Sequence, residues 1–307
     1  MHSCFICQAP ATEKCPFCDA DVYYCCQSHF ELHRSKSSSG EVQCNPFSIK
    51  FTESVGRFMV ANRDIEAGET IFQDTAAVVG PAADTLPLCL NCHAKVRENI
   101  FSKMVLNFKC TYFLLQIMED DYVRCPICQF PMCDEHCVSG LEHKKVCEYL
   151  RNKGSVVVNM DKSNPIYDVV LPLKILALKK SAPERYALVT QFMDHKSERF
   201  KFEDYWILIK KTIVDVILDL PGIPEDTTEE DILRIIGLLD TNSHEIHNRN
   251  GISYKGMFPI GAILSHRCIV NSRQIMIKYT PFQNSCRYVR PLKSKKDEMS
   301  VYFSFFF

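Results

Sequence analysis

Six metal-type side chains between Cys125 and Cys147 follow the spacing Cys-x2-Cys-x4-Cys-x3-Cys-x5-His-x3-Cys, and a Cys-x2-Cys pair at Cys89 and Cys92 precedes them. No other feature of the chain restricts its fold as much. Zn²⁺ takes four N/S ligands in a tetrahedron, so eight such donors suit two ions. Each Cys-x2-Cys turn offers two thiolates on one tight hairpin, and the Cys133/Cys137 and His143/Cys147 pairs are spaced for a single helical turn. The spacing predicts a small cross-braced zinc module. A run of free or disulfide-bonded cysteines is the competing reading, but disulfide frameworks belong to small secreted domains.

Whole-chain bounds favour metal. The 307 residues suffice for about two domains or one large one, and 46% hydrophobic with 24% charged content is globular. Lys+Arg 36 against Asp+Glu 37 leaves a net charge of -1, so the chain lacks the positive field that phosphate backbones select. Neither cysteine set carries a basic recognition helix, and direct DNA binding is not expected. The opening Met1-His2-Ser3-Cys4-Phe5 lacks the charged start and apolar run of a secretory signal. No stretch approaches the roughly 20 apolar residues that span a bilayer. A soluble intracellular protein without membrane association is expected, in a compartment reducing enough to keep its 17 cysteines as thiols.

A second cysteine set opens the chain: Cys4-x2-Cys7, Cys15-x2-Cys18, Tyr23-Tyr24-Cys25, His29, His33 and Cys44. Cross-bracing gives one ion to Cys4, Cys7, Cys25 and His29 and another to Cys15, Cys18, His33 and Cys44. Ten residues separate His33 from Cys44 where one helical turn is the usual spacing, so Cys26 competes as a ligand. Up to four zinc ions are expected. Cys26, Cys110, Cys268 and Cys286 are left without a metal role and read as packing residues.

Beyond Cys44 the composition turns β-rich, with apolar clusters at Phe58–Val60 and Ile71–Phe72 and turn glycines at Gly56 and Gly68. The middle of the chain is helical. Glu203–Leu220 places Tyr205, Leu208, Ile209, Ile213, Val216, Ile217 and Leu220 at three- and four-residue intervals, which predicts one apolar helix face in the core. Thr227 and Thr228 before Glu229, Glu230 and Asp231 predict the N-terminus of a helix that buries Ile232, Ile235, Ile236 and Leu239. Val170–Lys180 and Pro183–His195 are further helix candidates, with Lys179-Lys180 and Lys210-Lys211 on solvated faces.

Both cysteine sets resemble the MYND zinc finger, whose pattern is two Cys-x2-Cys pairs, an aromatic-Cys-x3-Cys and a closing His-x3-Cys. In the first set His29 stands where that family usually has cysteine. Val55-Gly56-Arg57-Phe58, then Asn62-Arg63-Asp64-Ile65, Ala67-Gly68-Glu69 and Val78-Val79-Gly80-Pro81, resemble the opening of a SET domain. Asn242-Ser243-His244-Glu245-Ile246 and Ser265-His266-Arg267-Cys268-Ile269-Val270-Asn271 resemble its Asn-Ser-Phe-x-Ile and Asn-His-Ser-Cys-x-Pro-Asn elements. This order is similar to that of SET-and-MYND proteins, in particular insect-type forms with a zinc module inside the SET insertion, over almost the entire chain.

The resemblance implies an α+β fold: a split β-rich SET domain with MYND-type zinc modules and a helical insertion. It divides the chain into a first finger (1–44), the N-terminal part of the SET domain (45–88), a second MYND-like module (89–150), a helical insertion (151–239) and the C-terminal part of the SET domain (240–307). The last part reads as incomplete, as in a shortened gene product, because the family's cysteine-rich closing tail is not matched.

The implied activity is protein-lysine methylation with S-adenosylmethionine, acting on histone or other protein lysines in the nucleus and cytoplasm. Gly56, Arg57, Asn242, Ser265 and His266 fall where the family touches that cofactor, and Tyr302 falls at the tyrosine lining its lysine channel. The family's fingers recruit short proline-containing peptides, which implies protein or peptide partners. Ser265 replaces the family's asparagine, Arg267 its serine, Val270 its proline and His244 its phenylalanine. A serine hydroxyl is too short for asparagine's paired donor and acceptor reach. These departures keep a second reading open, a catalytically inactive scaffold or transcriptional co-regulator.

Overall fold

A computed structural model describes residues 2–7, 9–18, 21–36, 41–53, 56–61, 70–81, 85–96, 122–151, 158–199, 201–247, 253–264, 276–280 and 285–289. The architecture is α+β, with short antiparallel strands, small helices and cysteine–histidine clusters. Two compact units emerge: Met1–Ala77 with Asn242–Glu245 and Gly256–Phe307, and Val78–Thr241 with Ile246–Lys255.

In the first unit, Phe47–Thr52 pairs antiparallel with Gly56–Ala61, in register from Phe47↔Ala61 to Thr52↔Gly56. The hairpin closes on Gly56 at φ 74°, a left-handed conformation open to glycine because it has no Cβ. Phe47 and Ile49 face inward while Lys50 is exposed. Phe47 joins Phe5, from the first cysteine turn, to Phe72, with ring centroids 5.7 and 5.4 Å apart. The finger therefore shares one aromatic core with the strands behind it. Thr70–Thr75 pairs antiparallel with Ser285–Val289, which pairs with Met276–Thr280.

The second unit is built on Val170–Ser181, a helix whose residues from Val170 to Leu178 are all buried. Such all-round burial marks a central helix rather than a surface one. Glu229–Asn242 begins with a reciprocal cap: the Thr228 hydroxyl accepts from the Asp231 amide at 3.1 Å, and the Asp231 carboxylate accepts from the Thr228 amide at 3.0 Å. It buries Ile232, Ile235, Ile236 and Leu239, as its sequence pattern predicts, together with Leu233 and Leu238. Gly237 in this helix lets the chain at Asp194 approach closely, since an added Cβ would lie 2.8 Å from the Asp194 carbonyl oxygen. Gly→Ala inside a helix ordinarily gains about 0.5–1 kcal/mol. Here we expect Gly237→Ala to lose about 1–3 kcal/mol instead, the usual range for overpacking, as read from the midpoint of urea unfolding.

The apolar face expected along Glu203–Leu220 is corrected by the backbone. Glu203–Ile209 and Asp215–Leu218 are α-helical, but Lys210–Val214 between them is a π-turn. A π-turn inserts about one residue and rotates everything after it. Val214, five residues beyond Ile209, is buried with Ile213 and Ile217, whereas Leu208, expected in the core, is 58% exposed. The helix expected over Pro183–His195 ends at Thr190. Among the described residues, no helix is long and apolar enough to cross a membrane.

Candidate metal centres

Among the described residues, four groups of four ligand atoms form, each with all its atoms within 4.8 Å of one another. In the first unit these are Cys4, Cys7, Cys25 and His29, then Cys15, Cys18, His33 and Cys44. In the second they are Cys89, Cys92, Cys133 and Cys137, then Cys125, Cys128, His143 and Cys147. In both fingers the first and third ligand pairs meet, as do the second and fourth, which is cross-bracing.

The spacings fit one ion per group. Four ligands on a tetrahedron around zinc, with Zn–S about 2.3 Å and Zn–N about 2.05 Å, lie about 3.8 Å apart for S···S and about 3.6 Å for S···N. The sulfurs of Cys7 and Cys25 are 3.6 Å apart, of Cys15 and Cys44 3.7 Å, of Cys92 and Cys133 3.5 Å, and of Cys125 and Cys147 3.6 Å. These distances are far beyond the roughly 2.05 Å of a disulfide. Cys18 Sγ lies 3.5 Å from His33 Nε2, and Cys128 Sγ lies 3.3 Å from His143 Nε2. The clusters are able to hold zinc.

His29 differs in its donor. Its Nδ1, not Nε2, sits 3.1 Å from Cys25 Sγ and 3.4 Å from Cys4 Sγ. Nδ1 extends about as far from the backbone as a cysteine sulfur does, so a histidine in a cysteine's place reaches the same point. His143 uses Nε2, and its Nδ1–H donates to the Val138 carbonyl at 2.7 Å, which fixes the ring for metal binding.

The ten-residue gap before Cys44 is bridged by strands rather than a helical turn. Arg34–Lys36 pairs with Val42–Cys44 and sets Cys44 opposite Arg34, one residue from His33. The Asn45 amide donates to the His33 carbonyl at 3.0 Å and tightens this closure. Cys26 stands outside the four groups, at the N-cap of Gln27–Leu32. In the second finger, His93 and Gln129 take positive φ (59° and 62°) just after the second cysteine of each Cys-x2-Cys turn. Their amides close those turns onto the Cys89 and Cys125 carbonyls at 2.9 Å each.

Crowded thiols titrate apart. A hydrogen bond from Cys128 is the chief cause that brings Cys147 down to about 4. Burial, then a hydrogen bond with Cys15, pushes Cys44 up to about 12. Burial would raise Cys4, but His29 and the amides of Cys7 and Ile6 bring it to about 6. Four donors this close cannot all ionise unless a cation balances them.

Among the described residues, the buried charged side chains Lys174 and Asp74 lie outside the cysteine pattern. The Lys174 ammonium, 2% exposed, donates to the Val79 carbonyl at 2.8 Å and lies 3.2 Å from His93 Nε2 and 3.3 Å from Glu142 Oε2. Its one sequence signal is a single charge inside the apolar run from Val169 to Leu178.

In the first unit, buried Asp74 accepts through Oδ2 from the Ile260 amide at 2.6 Å and the Gly261 amide at 3.0 Å. Among the described residues its Oδ1 has no partner. Burial outweighs these amides and pushes its carboxyl from 3.8 up to about 7. An acid whose pKa rises on folding stabilises the fold below its unfolded pKa and loses that contribution as pH rises through the folded one. Wild-type stability relative to Asp74→Asn should therefore fall from about pH 4 to about pH 7 and level off above. Paired urea titrations across that range check this, and parallel curves would contradict it.

No protein-family model matches the chain. It is 27% identical over 238 residues to the SET domain-containing protein SmydA-8, isoform A, of Drosophila melanogaster. That match covers 74% of this chain and 44% of the fly protein, so the chain spans less than half the length of this relative. The chain is thus similar to a SET domain-containing protein of the SMYD type.

Three of the residues that the SET resemblance marks for the cofactor lie among the described ones, all in the first unit. Gly56 forms the left-handed end of the hairpin. Arg57 donates from Nη1 to the Ile6 carbonyl at 3.0 Å. Asn242 is the last residue of the helix Glu229–Asn242. Strand Gly56–Ala61 lies against the 3-10 turn Gly261–Ile263, whose first amide Asp74 holds. Ser265, His266 and Tyr302 lie outside the described residues, as do Cys110 and Cys268, and only the backbone of Cys286 is described.

Proposed function

We propose that this chain is an S-adenosylmethionine-dependent protein-lysine methyltransferase of the SET-and-MYND type. Its substrates would be histone tails or other lysine-bearing peptides, and its fingers are stabilised by four zinc ions. The observation that carries this reading is the contact between strand Gly56–Ala61 and the turn Gly261–Ile263, which runs directly into Ser265-His266-x-Cys268. In SET proteins the corresponding strand and the segment that follows this turn in sequence hold the cofactor, and the observed contact supports that reading for this chain.

Bound S-adenosylmethionine supplies an activated methyl group for in-line transfer to an amine, which leaves alignment and electrostatics to the protein. Backbone groups at Gly56 and Arg57, with Asn242, Ser265 and His266, would fix the cofactor. Tyr302 would direct a lysine amine that must shed its proton, since free lysine has a pKa near 10.4. Desolvation between apolar walls favours the neutral amine.

The sixteen cysteine and histidine ligands have a structural role in this reading. Closed four-ligand sites leave no open position for substrate.

Calorimetric titration of the zinc-loaded chain with S-adenosylmethionine is expected to give saturable binding, and Ser265→Asn should tighten it. Transfer of labelled methyl to core histones or lysine peptides should follow. Absence of saturable heat from protein carrying its full zinc complement would rule out the enzyme. The second reading, a scaffold whose fingers recruit peptides, is favoured by Ser265, Arg267, Val270 and His244 at positions where the family carries other residues.

A further inference from the structure

Ile6 lies inside the first Cys-x2-Cys turn, fully buried, with each of its backbone polar groups committed to a different task. Its amide helps to lower the pKa of the Cys4 thiol, and its carbonyl accepts from Arg57 Nη1 at 3.0 Å. The peptide can serve both only while the Cys4 and Cys7 sulfurs converge on one point with Cys25 and His29. Arg57 sits on strand Gly56–Ala61 opposite Phe51, and burial lowers its pKa against the opposing influence of Cys7. A guanidinium withdrawn from water is costly unless its donors are met.

We infer that Arg57 is a positioning residue that makes the order of strand Gly56–Ala61 depend on metal at Cys4, Cys7, Cys25 and His29. Emptying that site releases the Cys-x2-Cys turn, the Ile6 carbonyl leaves its place, and Arg57 loses this hydrogen bond. The contact between Phe47 and Phe72 lies outside the released turn and still ties strands Phe47–Thr52 and Thr70–Thr75 together, so the loosening falls on Gly56–Ala61. If the methyltransferase reading holds, and the cofactor consequence rests on it, the first finger then acts as a metal-dependent clamp on one edge of the S-adenosylmethionine site.

Hydrogen exchange read by mass spectrometry on the full chain tests the clamp without cofactor, after elemental analysis has established the zinc content. His29→Ala should lose one zinc and speed exchange in Gly56–Ala61 on the order of tenfold, the scale of one charge-assisted hydrogen bond in a local opening. Thr70–Thr75 should stay protected. Cys137→Ser, which disables a site in the other unit, should leave Gly56–Ala61 unchanged. Arg57→Ala should show the faster exchange with all its zinc retained, and Arg57→Lys, the fallback if the alanine variant does not fold, a smaller increase. Wild-type protection of Gly56–Ala61 in either His29→Ala or the Arg57 variants overturns the inference, as does equal loss of protection in Thr70–Thr75. Failure of S-adenosylmethionine to bind would leave these outcomes untouched, which separates this inference from the proposed enzyme.

Discussion

Stripping zinc from this protein is expected to unfold both cysteine modules and to remove about 10–16 kcal/mol of stabilisation per site. Their secondary structure is too slight to survive otherwise. Among the described residues of the second finger the regular elements are Val123–Arg124, Pro131–Met132, Glu135–Val138 and Leu141–Cys147, and the longest of these runs seven residues. Helices that short are unstable alone in water. Cys125, Cys128, His143 and Cys147 are all buried, so once the cation leaves, thiols that cannot ionise together remain confined at about 3.6 Å. Elemental analysis should return four zinc per chain. Excess chelator should collapse the far-ultraviolet circular dichroism of the fingers, and added zinc should restore it. Protein that carries no zinc, or that keeps its spectrum under chelation, would contradict both the metal assignment and the fold built on it.

Lys174→Met should cost about 3 kcal/mol, the lower end of the range for removing one partner of a buried ion pair. Methionine fills most of the volume of the lysine stem, so the loss reports the charge and its hydrogen bonds rather than a cavity. The Val79 carbonyl and His93 Nε2 would be left buried without their donor. Glu142 would keep Lys145 and its partial exposure to water, which is why the lower end of the range applies. Because His93 follows ligand Cys92 and Glu142 precedes ligand His143, the same variant should release zinc from the second finger faster. Urea unfolding gives the first quantity, and zinc release to a colorimetric chelator gives the second. Adding Glu142→Met should recover part of the stability, since a charge left alone costs more than a pair removed together. A single variant as stable as wild type, with unchanged zinc release, would show that Lys174 does not tie the finger to its helix.

Metal spacing was the most legible feature of this chain. Ligands must sit on tight turns a fixed number of residues apart, so the pairings of Cys89, Cys92, Cys125, Cys128, Cys133, Cys137, His143 and Cys147 can be written from the sequence, and the structure brings the same groups together. The helix beginning at Glu229 was equally readable, because a Thr-x-x-Asp cap and a 3.6-residue stripe are local signals. The closure at Cys44 was harder to read. A β-hairpin, not a helical turn, brings it beside His33, and strand pairing is not encoded in the spacing of the two residues it joins.

Residue order thus determined the ligand sets, the alternation of finger, strand and helix, and the resemblance to SET proteins, since all three rest on short-range spacing. Only the folded chain decided which charged groups go inside. Lys174 and Asp74 have nothing in their immediate neighbourhood to mark their partners, because those partners, Glu142 and Val79 for one and the Ile260 and Gly261 amides for the other, lie far away in sequence. The π-turn at Lys210–Val214 was likewise invisible, because it exchanges local helical regularity for burial of Val214 against the rest of its unit. Spacing records what neighbours along the chain can do together, while long-range burial sets the cost of each polar group and the phase of each helix, and it exists only once the chain has closed on itself.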